Sequence, residues 1–163
     1  MDGEIDPRRR AFLTGGLPAR PAILRPPWLA EKASASCTGC GACAEACPRD
    51  LVSLADGQPT IAFTGGECIF CGACAESCPE DLFDREGRAF AHRIVVGDDC
   101  LGRRGVICEV CRDACPEGAI RFAPRSRGPF LPEIAGEKCS GCGACIAPCP
   151  TSAIAARPGG AHG

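Results

Sequence analysis

Sixteen cysteines in a chain of 163 residues fall into four groups, and every group closes on Cys-Pro. The groups are Cys37, Cys40, Cys43 and Cys47; Cys68, Cys71, Cys74 and Cys78; Cys100, Cys108, Cys111 and Cys115; and Cys139, Cys142, Cys145 and Cys149. Three of them, CTGCGACAEACP, CIFCGACAESCP and CSGCGACIAPCP, keep the run C-x2-C-x2-C-x3-C-P without deviation. The third, CLGRRGVICEVCRDACP, keeps C-x2-C-x3-C-P but sets its first cysteine apart behind Leu101 to Ile107, a stretch that carries Arg103 and Arg104. Self-similarity of this kind is an internal repeat and governs the reading of everything else.

Three chemistries use thiols at such density. Disulfide scaffolds need an oxidising compartment and do not place four cysteines within a dozen residues with glycine between them. Zinc ribbons use two separated C-x2-C pairs, which is a different rhythm. The remaining chemistry is the bacterial ferredoxin run, in which three thiolates hold one 4Fe-4S cube and the fourth cysteine reaches a neighbouring cube. Three thiolates converging on one small cube require a tight curl, and small residues let backbone N–H groups approach the sulfurs. Gly39, Gly41, Gly72, Gly141 and Gly143 stand where that crowding is expected. The fourth cysteine is expected to begin a helical turn, and Pro48, Pro79, Pro116 and Pro150 fix the chain just after it without needing an N–H.

If the fourth cysteines cross over, neighbouring groups pair. One cluster then takes Cys37, Cys40, Cys43 and Cys78, and a second takes Cys68, Cys71, Cys74 and Cys47. A third takes Cys139, Cys142, Cys145 and Cys115, and a fourth takes Cys100, Cys108, Cys111 and Cys149. The fourth set rests on the gapped group, whose loop has Glu109, Val110 and Arg112 in place of small residues, so the count is three or four 4Fe-4S clusters.

The elements that must position these cysteines are short. Leu51 to Leu54, Thr60 to Phe63, Ile94 to Val96, Ala119 to Phe122 and Ala153 to Ala155 are strand-length apolar stretches beside the cysteine groups. The order strand, cluster loop, short helix, strand predicts an α+β, loop-rich chain of tandem bacterial-type ferredoxin modules. The expected division is an Arg/Pro-rich arm over 1–32, modules over 33–85 and 90–157, and a tail over 158–163. Asp84 to Arg88 reads as a turn near the junction, and Pro124 to Pro132 as a loop. With seven Phe, one Trp and no Tyr, an ordinary apolar core is thin and metal staples are needed. Phe63, Phe70, Phe83, Phe122 and Phe130 are expected to pack against clusters or strands.

No acid–base pair, nucleotide loop or flavin motif accompanies the cysteines, so no catalytic site of the chain's own is expected. His92 and His162 stand alone and read as surface residues. A net charge of −2 gives no basic footprint for nucleic acid. RRRAFLTG at the start is similar to a twin-arginine signal, but the longest apolar run after it, Ala22-Ile23-Leu24, is too short for an h-region or a membrane span. A cytoplasmic location is therefore expected, where reducing conditions suit the thiols. Arg8, Arg9 and Arg10 read as a solvated basic tail or as a docking segment.

The RRxFLTG start, the Arg25-Pro26-Pro27-Trp28 stretch and the order of the four groups together resemble the NapF family, the ferredoxin-type proteins of the periplasmic nitrate reductase system. The resemblance runs from about Arg9 to Ala156 and implies cluster ligation by the cysteines named above, without a catalytic residue. It also implies a cytoplasmic role in maturing the catalytic molybdenum subunit before export, by cluster assembly or by supplying electrons, with the arm from Pro18 to Leu29 helping to dock the partner. The alternative is an electron-transfer polyferredoxin relaying electrons to a larger oxidoreductase.

Overall fold

The computed structural model describes residues 23–29 and 35–159, so the Arg8 to Arg10 stretch and His162 lie outside the described residues. Among the described residues nine short elements follow in chain order: α1 (Ala42–Glu45), β1 (Val52–Ala55), β2 (Gln58–Ile61), α2 (Ala73–Glu76), β3 (Arg93–Val96), α3 (Val110–Asp113), β4 (Ile120–Ala123), β5 (Leu131–Ile134) and β6 (Ile154–Arg157). The strands form three antiparallel pairs: β1 with β2, β4 with β5, and β3 with β6. Two-stranded ribbons of this length are marginal in water and must be held by what packs on them. Here that is the cysteine loops. Cys43, Cys74, Cys111, Cys142 and Cys145 are themselves among the buried residues.

The two halves repeat one plan. Each has a hairpin between its two cysteine groups, β1–β2 in the first half and β4–β5 in the second. One core gathers Ile94, Ile120 and Ile154 around Cys111 and Cys145, and another gathers Leu51, Ile61, Phe63 and Phe90. Ile146 and Ala156, from the second half, pack against that second core, so the halves share one interior.

Three local expectations need correction. The single helical turns carry the third cysteine of a group, Cys43, Cys74 or Cys111, and end before the fourth instead of starting at it. The stretch Pro124 to Pro132 is not loop throughout, because β5 begins at Leu131 and Pro132 pairs with Phe122. A two-stranded ribbon has only edge strands, where the missing proline N–H costs no ladder bond on the open side. The Arg/Pro-rich stretch is also drawn into the first half from Ile23 to Leu29. The Ile61 N–H donates to Leu24 O at 2.9 Å, Trp28 N–H to Ala89 O at 2.6 Å and Asp84 N–H to Trp28 O at 2.9 Å. Pro26 is fully buried, and Leu29 forms an isolated bridge with Phe83.

Candidate metal centre

Four small cavities, each partly open to solvent, lie in the two halves. Cys37, Cys40, Cys43 and Cys78 line the first, and Cys47, Cys68, Cys71 and Cys74 the second. Cys115, Cys139, Cys142 and Cys145 line the third, and Cys100, Cys108, Cys111 and Cys149 the fourth. The structure thus brings each predicted set to one cavity, the gapped set included.

Local chemistry explains the convergence. In the first two groups a glycine in the left-handed region, Gly41 or Gly72, turns the chain into the one-turn helix that presents the third cysteine. The gapped group enters its helix from Glu109 at φ −128° instead. Its first thiol arrives by the longer path, which turns through hydrogen bonds from Arg104 N–H to Cys100 O at 3.2 Å and from Val106 N–H to Leu101 O at 2.9 Å. After each of the last two groups, a backbone N–H returns to the fourth sulfur. Ala119 N–H approaches Cys115 Sγ at 3.4 Å, and Ala153 N–H approaches Cys149 Sγ at 3.3 Å.

Within these sets, burial and neighbouring thiols work against free thiolates. Burial pushes the Cys145 thiol up to about 12, and Cys139, Cys142 and Cys115 beside it push the same way. Burial and neighbouring thiols likewise push Cys74 up to about 11; at Cys111 burial leads, and Cys100 and Cys108 add to it, to about 11. Burial also raises Cys43, Cys68 and Cys139. Cys149 goes the other way, because hydrogen bonds from Thr151, Ala153 and Ile154 together outweigh the effect of burial. Among the residues lining the four cavities only Arg49 is a cation, so the positive charge that ligating thiolates need would have to come from a metal centre.

The donor set fits a 4Fe-4S cube in other respects too. All four ligands of each set are sulfur, the walls are otherwise largely apolar, and among the described residues no three His, Cys, Asp or Glu side chains form a site for a single metal ion. Ser140 Oγ, on the wall of the third cavity, is buried without a hydrogen-bond partner, which suits a donor waiting for a cluster sulfur. Such a cube stores and releases one electron at a potential tuned by these hydrogen bonds and by nearby charge.

Other expected residues fall out differently. Phe63 is buried and Phe70 lines the second cavity, but Phe130 is 47% exposed. His92 is not a surface residue: it is buried, with Nε2 donating to Gly141 O at 2.9 Å in the loop of the fourth group. The signal for that was its place in Ala89-Phe90-Ala91-His92, where alternation puts Phe90 and His92 on one face. The turn at Asp84 to Arg88 is present, closed by Glu86 N–H to Asp84 Oδ1 at 3.1 Å. Among the described residues no helix is long and apolar enough to cross a membrane.

Two hairpin-bearing halves with four cysteine-lined cavities define a tandem 4Fe-4S ferredoxin, and models of the 4Fe-4S dicluster domain match residues 36–82 and 106–153. The chain therefore binds several 4Fe-4S clusters. A ferredoxin-type protein NapF of Escherichia coli K12 is 41% identical over 163 residues, covering 98% of this chain and 99% of its own. A ferredoxin-type protein NapF of Haemophilus influenzae is 42% identical over 135 residues, covering 80% and 77%. The methylamine utilization ferredoxin-type protein MauM of Methylophilus methylotrophus is 32% identical over 163 residues, covering 86% and 72%. The chain belongs to the NapF family of ferredoxin-type proteins.

Proposed function

We propose that the four cysteine sets each ligate one 4Fe-4S cluster, and that the loaded protein acts in the cytoplasm on the catalytic subunit of the periplasmic nitrate reductase before export. Its part there is to help build that subunit's iron–sulfur cluster or to reduce it during maturation. The observation that carries this reading is likeness to NapF proteins over nearly the whole chain, beginning ahead of the first cysteine. The protein has no catalytic site of its own in this reading and works by holding and passing electrons or clusters.

Because Ile23 to Leu29 is occupied in closing the first half, docking falls to the residues before Ile23, which include Arg8, Arg9 and Arg10. The test is capture of the catalytic subunit, in precursor and mature forms, by anaerobically purified protein with and without residues 1–22. Capture of the precursor by the full chain and its loss on truncation are expected. Absence of capture, or capture of the mature form alone, would sink the maturation role.

A second reading, electron relay to a larger oxidoreductase, draws support from the contact between the second and third cavities. Cys68 N–H donates to Cys142 O at 2.9 Å across the two halves. Steady reduction of a mature partner without any change in that partner's cluster content would favour it.

A further inference from the structure

The second and third cavities meet at a joint built from both halves. Phe63, 4% exposed and just beyond β2, lies over Gly143, where an added Cβ would come within 2.2 Å of the ring. Phe90 and His92 lie over Gly141 in the same way, at 3.2 and 3.1 Å from such a Cβ. Both glycines belong to the Cys139 to Cys145 loop and both have φ near +82° (81° and 82°), so a side chain at either would be strained, one at Gly143 would be blocked by the Phe63 ring, and one at Gly141 would press on Phe90 and His92. The rings also support one another, with centroids 5.9 Å apart for Phe63 and Phe90, 5.4 Å for Phe63 and His92, and 4.4 Å for Phe90 and His92. Phe70, on the wall of the second cavity, is 5.8 Å from Phe90. From the link between the halves, Arg88 adds a hydrogen bond to Cys139 O at 3.2 Å.

We infer that Phe63, Phe90 and His92 are positioning residues that, seated on Gly141 and Gly143, fix the separation of the two inner clusters and so the coupling between the halves. The inference rests on the ligation proposed above. The exchange it governs is balanced within the chain: one inner cluster is oxidised by one electron as the other is reduced by one. Magnetic and electronic coupling both fall steeply with separation, so a close-packed joint that resists compression and shear has a direct electronic effect. Ordinary core packing would hold the halves together equally well with aliphatic side chains on alanines. Rings lying flush on glycine backbone bring the two cysteine loops closer than such packing permits.

The test compares wild type with Phe63→Ala, His92→Ala and His92→Gln, all purified without oxygen. Iron and sulfide are counted, and EPR of the fully reduced protein is recorded for spin–spin broadening and power saturation. Wild-type iron content with loss of part of the broadening and easier saturation is expected for Phe63→Ala and His92→Ala. His92→Gln, which can still donate to Gly141 O, is expected to recover most of the wild-type signal. Wild-type iron with unchanged broadening and saturation in all three variants would overturn the inference. Loss of iron in the variants alone would also overturn it, since the rings would then serve cluster retention. A wild type holding no 4Fe-4S clusters would instead remove the ligation reading on which the inference stands.

Discussion

In the second half, the strand ahead of the first cysteine, β3, pairs with the strand after the last, β6, over four residues from Arg93–Arg157 to Val96–Ile154. Among the described residues, the matching contact in the first half is an isolated bridge between Leu29 and Phe83. Pro26 and Pro27 explain the contraction, because neither has an N–H to extend a ladder. The first half is closed by a strap in its place. Leu24 and Trp28 hydrogen-bond to Ile61, Asp84 and Ala89, Pro27 and Trp28 wall the second cavity, and Leu29 walls the first. A ferredoxin half can thus be closed by scattered backbone hydrogen bonds and buried side chains where a continuous ladder is absent, and its clusters are then expected to depend on residues ahead of the cysteine run.

The halves differ in charge as well. Residues 33–89 hold nine acidic and three basic side chains, whereas 90–157 hold seven acidic and nine basic. Negative charge near a cluster disfavours its reduction, so on the proposed ligation the first pair of clusters is expected to be the harder pair to reduce.

The largest test of the contrast removes the strap. Deleting residues 1–29 is expected to empty the first half and leave the second loaded, lowering iron from about sixteen to about eight per chain on four irons per cluster. Deleting residues 1–22 should leave the iron count unchanged. Loss of iron from both halves after the longer deletion would show that they do not close independently.

Point substitutions sharpen the same contrast. Leu29→Ala and Ile154→Ala each remove a buried side chain, 7% and 4% exposed, and each should cost about 2–5 kcal/mol. Their effects should be opposite in place: chelator or oxygen bleaches the first pair of clusters sooner in Leu29→Ala and the second pair in Ile154→Ala. EPR-monitored bleaching would tell the pairs apart by their different potentials. Bleaching of the same pair in both variants would break the comparison.

Smaller effects concern tuning. Ser140→Ala takes away a buried hydroxyl beside the third cavity without touching a cysteine. One potential in the second half should fall toward those of the first, with iron unchanged, in a reductive titration. Ser140→Thr should hold it near the wild-type value.

The smallest effect is a pH dependence confined to metal-free protein. Burial holds Cys145 up to about 12, and Cys74 and Cys111 up to about 11, against an ordinary value of 9.0. A raised thiol pKa means that the fold binds the proton more tightly than the unfolded chain. The stability it contributes is complete below pH 9 and is lost as pH rises toward 11 to 12. Circular dichroism of the metal-free chain should show that loss, and more of it in the second half, which holds two of the three thiols. Loaded protein, whose thiolates are already deprotonated, should not show it.

Much of the site was legible because cysteine spacing is a local, covalent matter. The run C-x2-C-x2-C-x3-C-P brings three thiols to one curl and throws the fourth outward, whatever the rest of the chain does. Cys100 was left open by that reasoning, and it is the fold of Leu101 to Ile107 that brings it to the fourth cavity. The strand-length stretches were legible too, except that β2 starts at Gln58 and ends at Ile61, short of Phe63, and that Pro132 disguised the edge strand β5 as loop. His92 and Phe63 were not legible as a joint. Their partners, Gly141 and Gly143, belong to a loop whose glycines already had a local reason to be there.

The sequence by itself determined that this chain holds iron–sulfur clusters and that the plan repeats, because those follow from short-range spacing; it named the cysteine sets only on the assumption that fourth cysteines cross over, and left the gapped set open. Only the tertiary structure decided that Ile23 to Leu29 closes the first half and that aromatic rings lie on the glycines of the fourth cysteine loop. Those contacts join segments far apart in the chain, and packing between them depends on shape and burial that no local pattern carries.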